Sequence, residues 1–164
     1  QHVLNDEYFK RIEAINYTLE HDDGEGQKNL ELADVIIVGV SRTSKTPTCI
    51  YLANKGIKAA NYPLVPDIGV SKELDEVKSP TVVALITSAQ TLVEIRRKRS
   101  LELGLKDKET DYINVHKVEE EIIAAKRIFA NKGWPVIDIT RRSVEETASA
   151  IMNIISLKEK KENE

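Results

Sequence analysis

The sequence predicts an α/β fold, a mostly parallel sheet flanked by helices. Three observations predict it. Residues 35–40 (VIIVGV) and 81–87 (TVVALIT) are continuous apolar runs of strand length, the pattern of strands buried on both faces. Stretches with helical spacing stand between and after them. A loop with Gly39 at its start and Lys45-Thr46 at its end joins the first run to a helix. Strands alternating with helices imply βαβ units with right-handed crossovers. Ligands of such sheets bind at the carboxyl ends of the strands.

The elements follow in order. Residues 6–20 carry Phe9, Ile12, Ile15 and Leu19 at helical spacing, and we read that stripe as the buried face. Residues 21–29 (HDDGEGQKN) are polar with two glycines, a loop. After the first strand, a helix is expected from about Pro47 to Lys55. Pro47 suits a first turn, and Gly56 suits the C-terminal cap. Residues 58–64 read as a short strand limited by Pro63 and Pro66. Residues 72–78 read as a helical turn. Ser88 caps a helix running to about Leu103, with Gly104 after it. Residues 116–131 form a helix with Val118, Ile122, Ala125 and Phe129 on one face, ended by Gly133. Residues 136–139 are a fourth strand. Ser143 and Glu146 make a capping box that opens a helix to about Leu157. Residues 158–164 (KEKKENE) read as a charged, frayed tail. The expected organisation is a lead-in over 1–30, one nucleotide-binding kinase domain over 31–157, and the tail. No internal repeat is present.

Composition excludes several classes. The 164 residues suffice for one domain with a real core, and 41% hydrophobic with 31% charged residues is an ordinary globular profile. A net charge of −3 argues against a general nucleic-acid binder. No apolar run reaches the length of a membrane helix, and no signal peptide is evident. The single Cys49 leaves no room for a disulfide framework or a cysteine-rich metal site, which fits a cytoplasmic protein. The chain opens at Gln1, so a portion of a longer sequence is expected.

Residues 39–46 read Gly39-Val40-Ser41-Arg42-Thr43-Ser44-Lys45-Thr46. The phosphate-binding P-loop pattern is G-x-x-x-x-G-K-[ST]. The leading glycine, the spacing, the lysine and the threonine match, and Ser44 stands where the pattern has its second glycine. The buried strand before and helix after suit a P-loop kinase-like fold. In such a loop, backbone N–H groups and the helix N-terminus cradle phosphate oxygens. Lys45 would neutralise charge on the transferring group, Thr46 would ligate Mg²⁺, and Arg42 would add a bidentate donor at the mouth. A chance match at a strand–turn–helix corner is the plain alternative. Serine disfavours the backbone angle a glycine permits, so a differently shaped loop is expected.

Other candidates carry weaker signals. Asp22 and Asp23 are either a solvated acidic turn or carboxylates of the site. His21 reads as a surface histidine, with a polar partner role as the alternative. Arg96, Arg97, Lys98 and Arg99 form one exposed helix face or mobile cations over a transferring phosphoryl group. Asp138, Arg141 and Arg142 follow the fourth strand, where ligands bind. They are strand-end polar residues or flank an adenine or a phosphate. His2 and His116 lack metal-ligand neighbours, Cys49 belongs to the core, and Trp134 is a packing residue.

Residues 33–55 (ADVIIVGVSRTSKTPTCIYLANK) resemble the bifunctional kinase–pyrophosphorylases that regulate pyruvate phosphate dikinase or phosphoenolpyruvate synthase. The likeness extends through EYFKRIEAI at 7–15, HDDG at 21–24, ANYPLVP at 60–66, EIRRKR at 94–99, Gly104-Leu105 and PVIDITRRSVEET at 135–147. The chain looks like the C-terminal portion of such a protein. The resemblance implies a kinase that takes a phosphoryl group from ADP to a threonine of its partner enzyme. It also implies the reverse task, a removal by inorganic phosphate that releases pyrophosphate. It makes Asp23 a base or metal-linked carboxylate beside Lys45, with Mg²⁺ as the accompanying ion. The serine at 44 is more like the dikinase regulators, which ranks the dikinase ahead of the synthase. A nucleoside-monophosphate-type small-molecule kinase and a nucleotide-binding module without catalysis stand as alternatives. Self-association as a homodimer is left open.

Overall fold

A computed structural model describes residues 2–22, 29–104 and 114–163, with side chains from residue 5 onward. Four strands lie in one all-parallel sheet, in the order β2-β1-β3-β4: β1 (Val35–Gly39), β2 (Ala59–Pro63), β3 (Thr81–Ile86) and β4 (Val136–Asp138). The helices are α1 (His2–Glu20), α2 (Lys45–Asn54), α3 (Lys72–Glu76), α4 (Ala89–Glu102), α5 (Val115–Lys132) and α6 (Val144–Glu162). A 3₁₀ turn occupies Leu30–Leu32.

Alternation along β1 explains the three layers. Val35 and Ile37 point to one face, with Leu52 of α2 and Ile151 of α6. Ile36 and Val38 point to the other, with Leu92 of α4 and Phe129 of α5. Both sets are buried, so every residue of β1 is apolar or glycine. Full burial of a side chain such as Phe129 stabilises the fold by about 1.5–3 kcal/mol. The expected face of α5 is correct: Val118, Ile122, Ala125 and Phe129 are its buried residues.

Local signals place the helix ends. Ser88 accepts from the Thr91 amide at the start of α4. Asn114, which pattern reading passed over, accepts from the amides of His116 and Lys117 and starts α5. Ser143 and Glu146 form the expected capping box. Gly56, Gly104 and Gly133 all take positive φ just past helix ends.

Three expectations need correction. The helix at 2–20 exists, but it buries Ala14, Tyr17 and Thr18 and leaves Phe9, Ile12 and Leu19 exposed. The apolar stripe is on the wrong side because α1 serves the sheet edge. Thr18 Oγ1 donates to the Ala59 carbonyl at 2.9 Å and sits 3.3 Å from the Ala59 amide. The helix thus satisfies backbone groups of the edge strand β2. Second, α2 starts at Lys45, two residues earlier than expected, with Pro47 inside its first turn. Third, α6 continues to Glu162, past the expected end at Leu157. Lys158 donates to the carbonyls of Ser79 and Pro80 and ties that last stretch to the start of β3.

Candidate functional site

Parallel strands bring all four carboxyl ends to one edge, and the loop of residues 40–44 lies there between β1 and α2. β2 and β3 flank β1 on opposite sides, so the chain reverses its winding direction at β1. That is the topological position where open α/β sheets hold ligands. A cleft of about 320 Å³ opens there, lined by Ser41 through Pro47, with Asn61, Pro63 and Ile95. A larger cleft of about 710 Å³ lies at the opposite edge, beside Thr81, Val82 and Pro135. None of the candidate phosphate-site residues lines it.

The loop is tightly built. A side chain at Gly39 would place its Cβ 2.6 Å from Thr43 Oγ1 and 3.1 Å from the Leu85 carbonyl oxygen, so only glycine fits. Thr43 is fully buried and donates to the Val40 carbonyl at 2.9 Å. Lys45 is 5% exposed. Its Nζ donates to the same carbonyl at 2.8 Å and lies 3.5 Å from Thr43 Oγ1. The residue lines the cleft, and its ammonium is held against the loop backbone.

Ser44 adopts φ 60, ψ 28, the left-handed angle a glycine would take, and Arg42 has φ 70. The expectation that serine would change the loop's shape at this residue is therefore not met. The angle is kept and strain is stored, of order 1–3 kcal/mol for each such residue. Ser44→Gly is expected to leave chemical stability within about 1 kcal/mol of wild type, the relieved strain offsetting the added chain entropy. Ser44→Val is expected to lose about 2 kcal/mol, because a β-branched residue tolerates this angle poorly. Urea unfolding of both variants checks the ordering.

Thr46 is held by two partners distant in sequence. Its hydroxyl donates to Asp22 Oδ1 at 2.9 Å and receives Asn61 Nδ2 at 2.9 Å. Asn61 Nδ2 also donates to Asp22 Oδ1 at 2.9 Å. The architecture explains the meeting. The Asn61 amide of β2 donates to the His21 carbonyl, so the edge-capping end of α1 delivers Asp22 to the start of α2. Asn61 is 4% exposed, and its Oδ1 is buried without a hydrogen-bond partner among the described residues. Sequence reading missed Asn61. The signal was an amide inside an otherwise apolar strand.

The remaining candidates divide. Arg96 is fully buried and is not a mobile cation: it donates to both carboxylate oxygens of Glu121 and to the Ser41 carbonyl. Arg97, Lys98 and Arg99 are exposed on α4, and Arg97 does not line the cleft. Arg141 sits at φ 64 in the exposed turn after β4, at the correct sheet edge but outside the cleft lining. Asp138 accepts from the Thr140 amide, and its bonds to Thr140 hold its carboxyl below the usual range. His21 is buried, contrary to the surface reading, because it stacks on Tyr17 and its Nδ1 lies 2.8 Å from the Tyr17 carbonyl. His116 is exposed. Cys49 is buried, and burial pushes its thiol well above the ordinary range, an unreactive core residue. Trp134 packs near Phe129. Asp23 lies outside the described residues.

Among the described residues no group of three or more His, Cys, Asp or Glu could hold a metal, and no helix is long and apolar enough to cross a membrane.

The chain is 57% identical over 156 residues to a protein of Caulobacter vibrioides, covering 95% of this chain and 49% of that one. It is 55% identical over 157 residues to one of Bartonella tribocorum, covering 95% and 56%. It is 48% identical over 164 residues to one of Rhodopseudomonas palustris, covering 100% and 59%. Each bears the name "Putative pyruvate, phosphate dikinase regulatory protein". The chain thus spans about half the length of these curated relatives. The model of the kinase/pyrophosphorylase family matches residues 1–152, which include α1, the Gly39–Thr46 loop and the Asp22–Asn61–Thr46 cluster, and the chain belongs to that family.

Proposed function

We propose that the Gly39–Thr46 loop is a P-loop-type phosphate site, and that this chain supplies it to an ADP-dependent threonine kinase and phosphate-dependent pyrophosphorylase acting on pyruvate phosphate dikinase. The observation that carries the reading is the loop itself, with Lys45 and Thr46 lining a polar cleft at the strand ends. The relatives' names favour the dikinase over the synthase as partner.

In the forward direction the threonine oxygen of the partner attacks the β-phosphorus of ADP. The bond to the bridging oxygen breaks, AMP leaves, and the hydroxyl proton passes to a base. In reverse, an oxygen of inorganic phosphate attacks the phosphothreonine phosphorus, giving pyrophosphate and the free hydroxyl. Both directions need one anion site beside the transferring group. Backbone amides of the loop and the start of α2 suit it. Lys45 moves from the Val40 carbonyl to a phosphoryl oxygen, exchanging a neutral acceptor for a charged one.

The residues also fit Mg²⁺. The Thr46 hydroxyl spends its proton on Asp22 and one lone pair on Asn61, which leaves a second lone pair for a cation. Thr46, with Asp22 behind it, would hold the ion, which would supply charge neutralisation to the transferring phosphoryl group. Asp23, adjacent to Asp22, is the candidate base.

Incubation of the full-length protein with dikinase and ADP tests the reading. Phosphate on a dikinase threonine with release of AMP is expected, as is pyrophosphate when phosphate is added back. Transfer to a free nucleoside monophosphate, with none to dikinase, would support the small-molecule kinase instead.

A further inference from the structure

The loop is held from behind by an ion pair between a buried arginine and a half-buried glutamate. Arg96 of α4 has no exposed surface. Its Nη1 and Nη2 donate to Oε1 and Oε2 of Glu121 on α5 at 2.8 and 2.9 Å. Its Nη2 and Nε also donate to the Ser41 carbonyl at 3.2 and 3.4 Å. One guanidinium therefore joins two helices to the loop.

Stability alone is a poor reason for this arrangement. Desolvating the arginine fully and the carboxylate in part offsets much of their attraction, and apolar replacements of such pairs are often as stable. Orientation is a better one. In a planar trans peptide, the carbonyl and the following N–H point in opposite directions. Ser41 borders two clefts, the 320 Å³ one of the loop and a second of about 640 Å³ that Arg96 and Glu121 also line. The Ser41 carbonyl is drawn toward Arg96, so the Arg42 N–H points away from the guanidinium, and Arg42 itself lines the first cleft. The positive φ of Arg42 is part of the same turn.

We infer that Arg96 and Glu121 are positioning residues that set the orientation of the Ser41–Arg42 peptide and so the affinity of the loop for a phosphoryl group. The inference rests on the reading of the loop as a phosphate site. Glu121 fixes the orientation of the guanidinium plane through two hydrogen bonds, and Arg96 transmits that placement to the loop. Neither touches the ligand.

The test uses pyrophosphate and ADP as probes, titrated calorimetrically into the chain and its variants, with thermal unfolding measured in parallel. Loss of one well-aimed amide donor to a charged acceptor weakens binding about tenfold. Arg96→Lys keeps the charge but not the fork, and this loss is expected for both probes. The paired substitution Arg96→Met with Glu121→Leu separates positioning from stability. It is expected to unfold near the wild-type temperature yet bind both probes about tenfold more weakly. Wild-type stability together with wild-type affinity in the paired variant would overturn the inference. If that variant does not fold, Glu121→Gln decides, since it keeps volume and one acceptor: a several-fold weaker pyrophosphate affinity supports positioning, and an unchanged one refutes it. Absence of pyrophosphate binding by the unaltered chain would instead remove the phosphate-site reading, and the inference with it.

Discussion

Replacing Lys45 with alanine is expected to weaken ADP, phosphate and pyrophosphate binding together, by about 10- to 100-fold, the worth of a hydrogen bond to a charged group. Transfer should fall further, by roughly 10²–10³, because the developing charge on the transferring group loses a preorganised partner. The fold should survive with a modest loss of stability. Lys45 is 5% exposed and its Nζ donates to the Val40 carbonyl, so alanine leaves that carbonyl short of a donor at about 1–3 kcal/mol. Thr43 still donates to the same oxygen and limits the damage. Calorimetry with each ligand, together with urea unfolding, measures both parts. A variant that binds all three ligands as wild type does would show that Lys45 serves only the loop's own structure.

Gly39→Ala is expected to be the most damaging conservative change to the fold at this site. The added carbon would meet Thr43 Oγ1 at 2.6 Å and the Leu85 carbonyl oxygen at 3.1 Å. Neither can retreat easily. Thr43 is fully buried and bonded to Val40, and Leu85 is buried in β3, an interior strand of the sheet. Overpacking of about 1–3 kcal/mol plus a strained or broken hydrogen bond of about 1 kcal/mol gives a loss near 2–4 kcal/mol. Combining Gly39→Ala with Thr43→Ala should recover part of it, since the closest clash disappears. Equal unfolding midpoints for wild type and Gly39→Ala would show that the strand end moves freely, contrary to the packing described.

Much of the fold was legible because it rests on local patterns. The runs at 35–40 and 81–87 became β1 and β3, and the stripe of Val118, Ile122, Ala125 and Phe129 became the buried face of α5. Where pattern reading failed, long-range demands had overridden local ones. The apolar stripe of α1 predicted one buried face, yet the unpaired edge of β2 claimed the side carrying Thr18. A strand edge belonging to another segment cannot be read from the helix that covers it.

The candidate site shows the same division. The loop at 39–46 is contiguous and could be read directly. Asp22, Thr46 and Asn61 are separated by 24, 15 and 39 positions, and only the fold brings them together. The basic run at 96–99 was legible as charge but not as geometry. Helical rotation buries Arg96 against Glu121 and leaves its three successors in water. Glu121 itself is one charged residue among several on α5, and only its position beside the core stripe distinguishes it.

Whether one loop serves both the nucleotide and the smaller phosphates is decided by titrating ADP into the unaltered chain, first alone and then in saturating pyrophosphate. A shared site predicts that pyrophosphate raises the apparent Kd of ADP in proportion to its own occupancy. The effect should weaken as salt is added, because an open anion site is screened. An ADP affinity unaltered by saturating pyrophosphate would show two separate sites and rule out a shared loop.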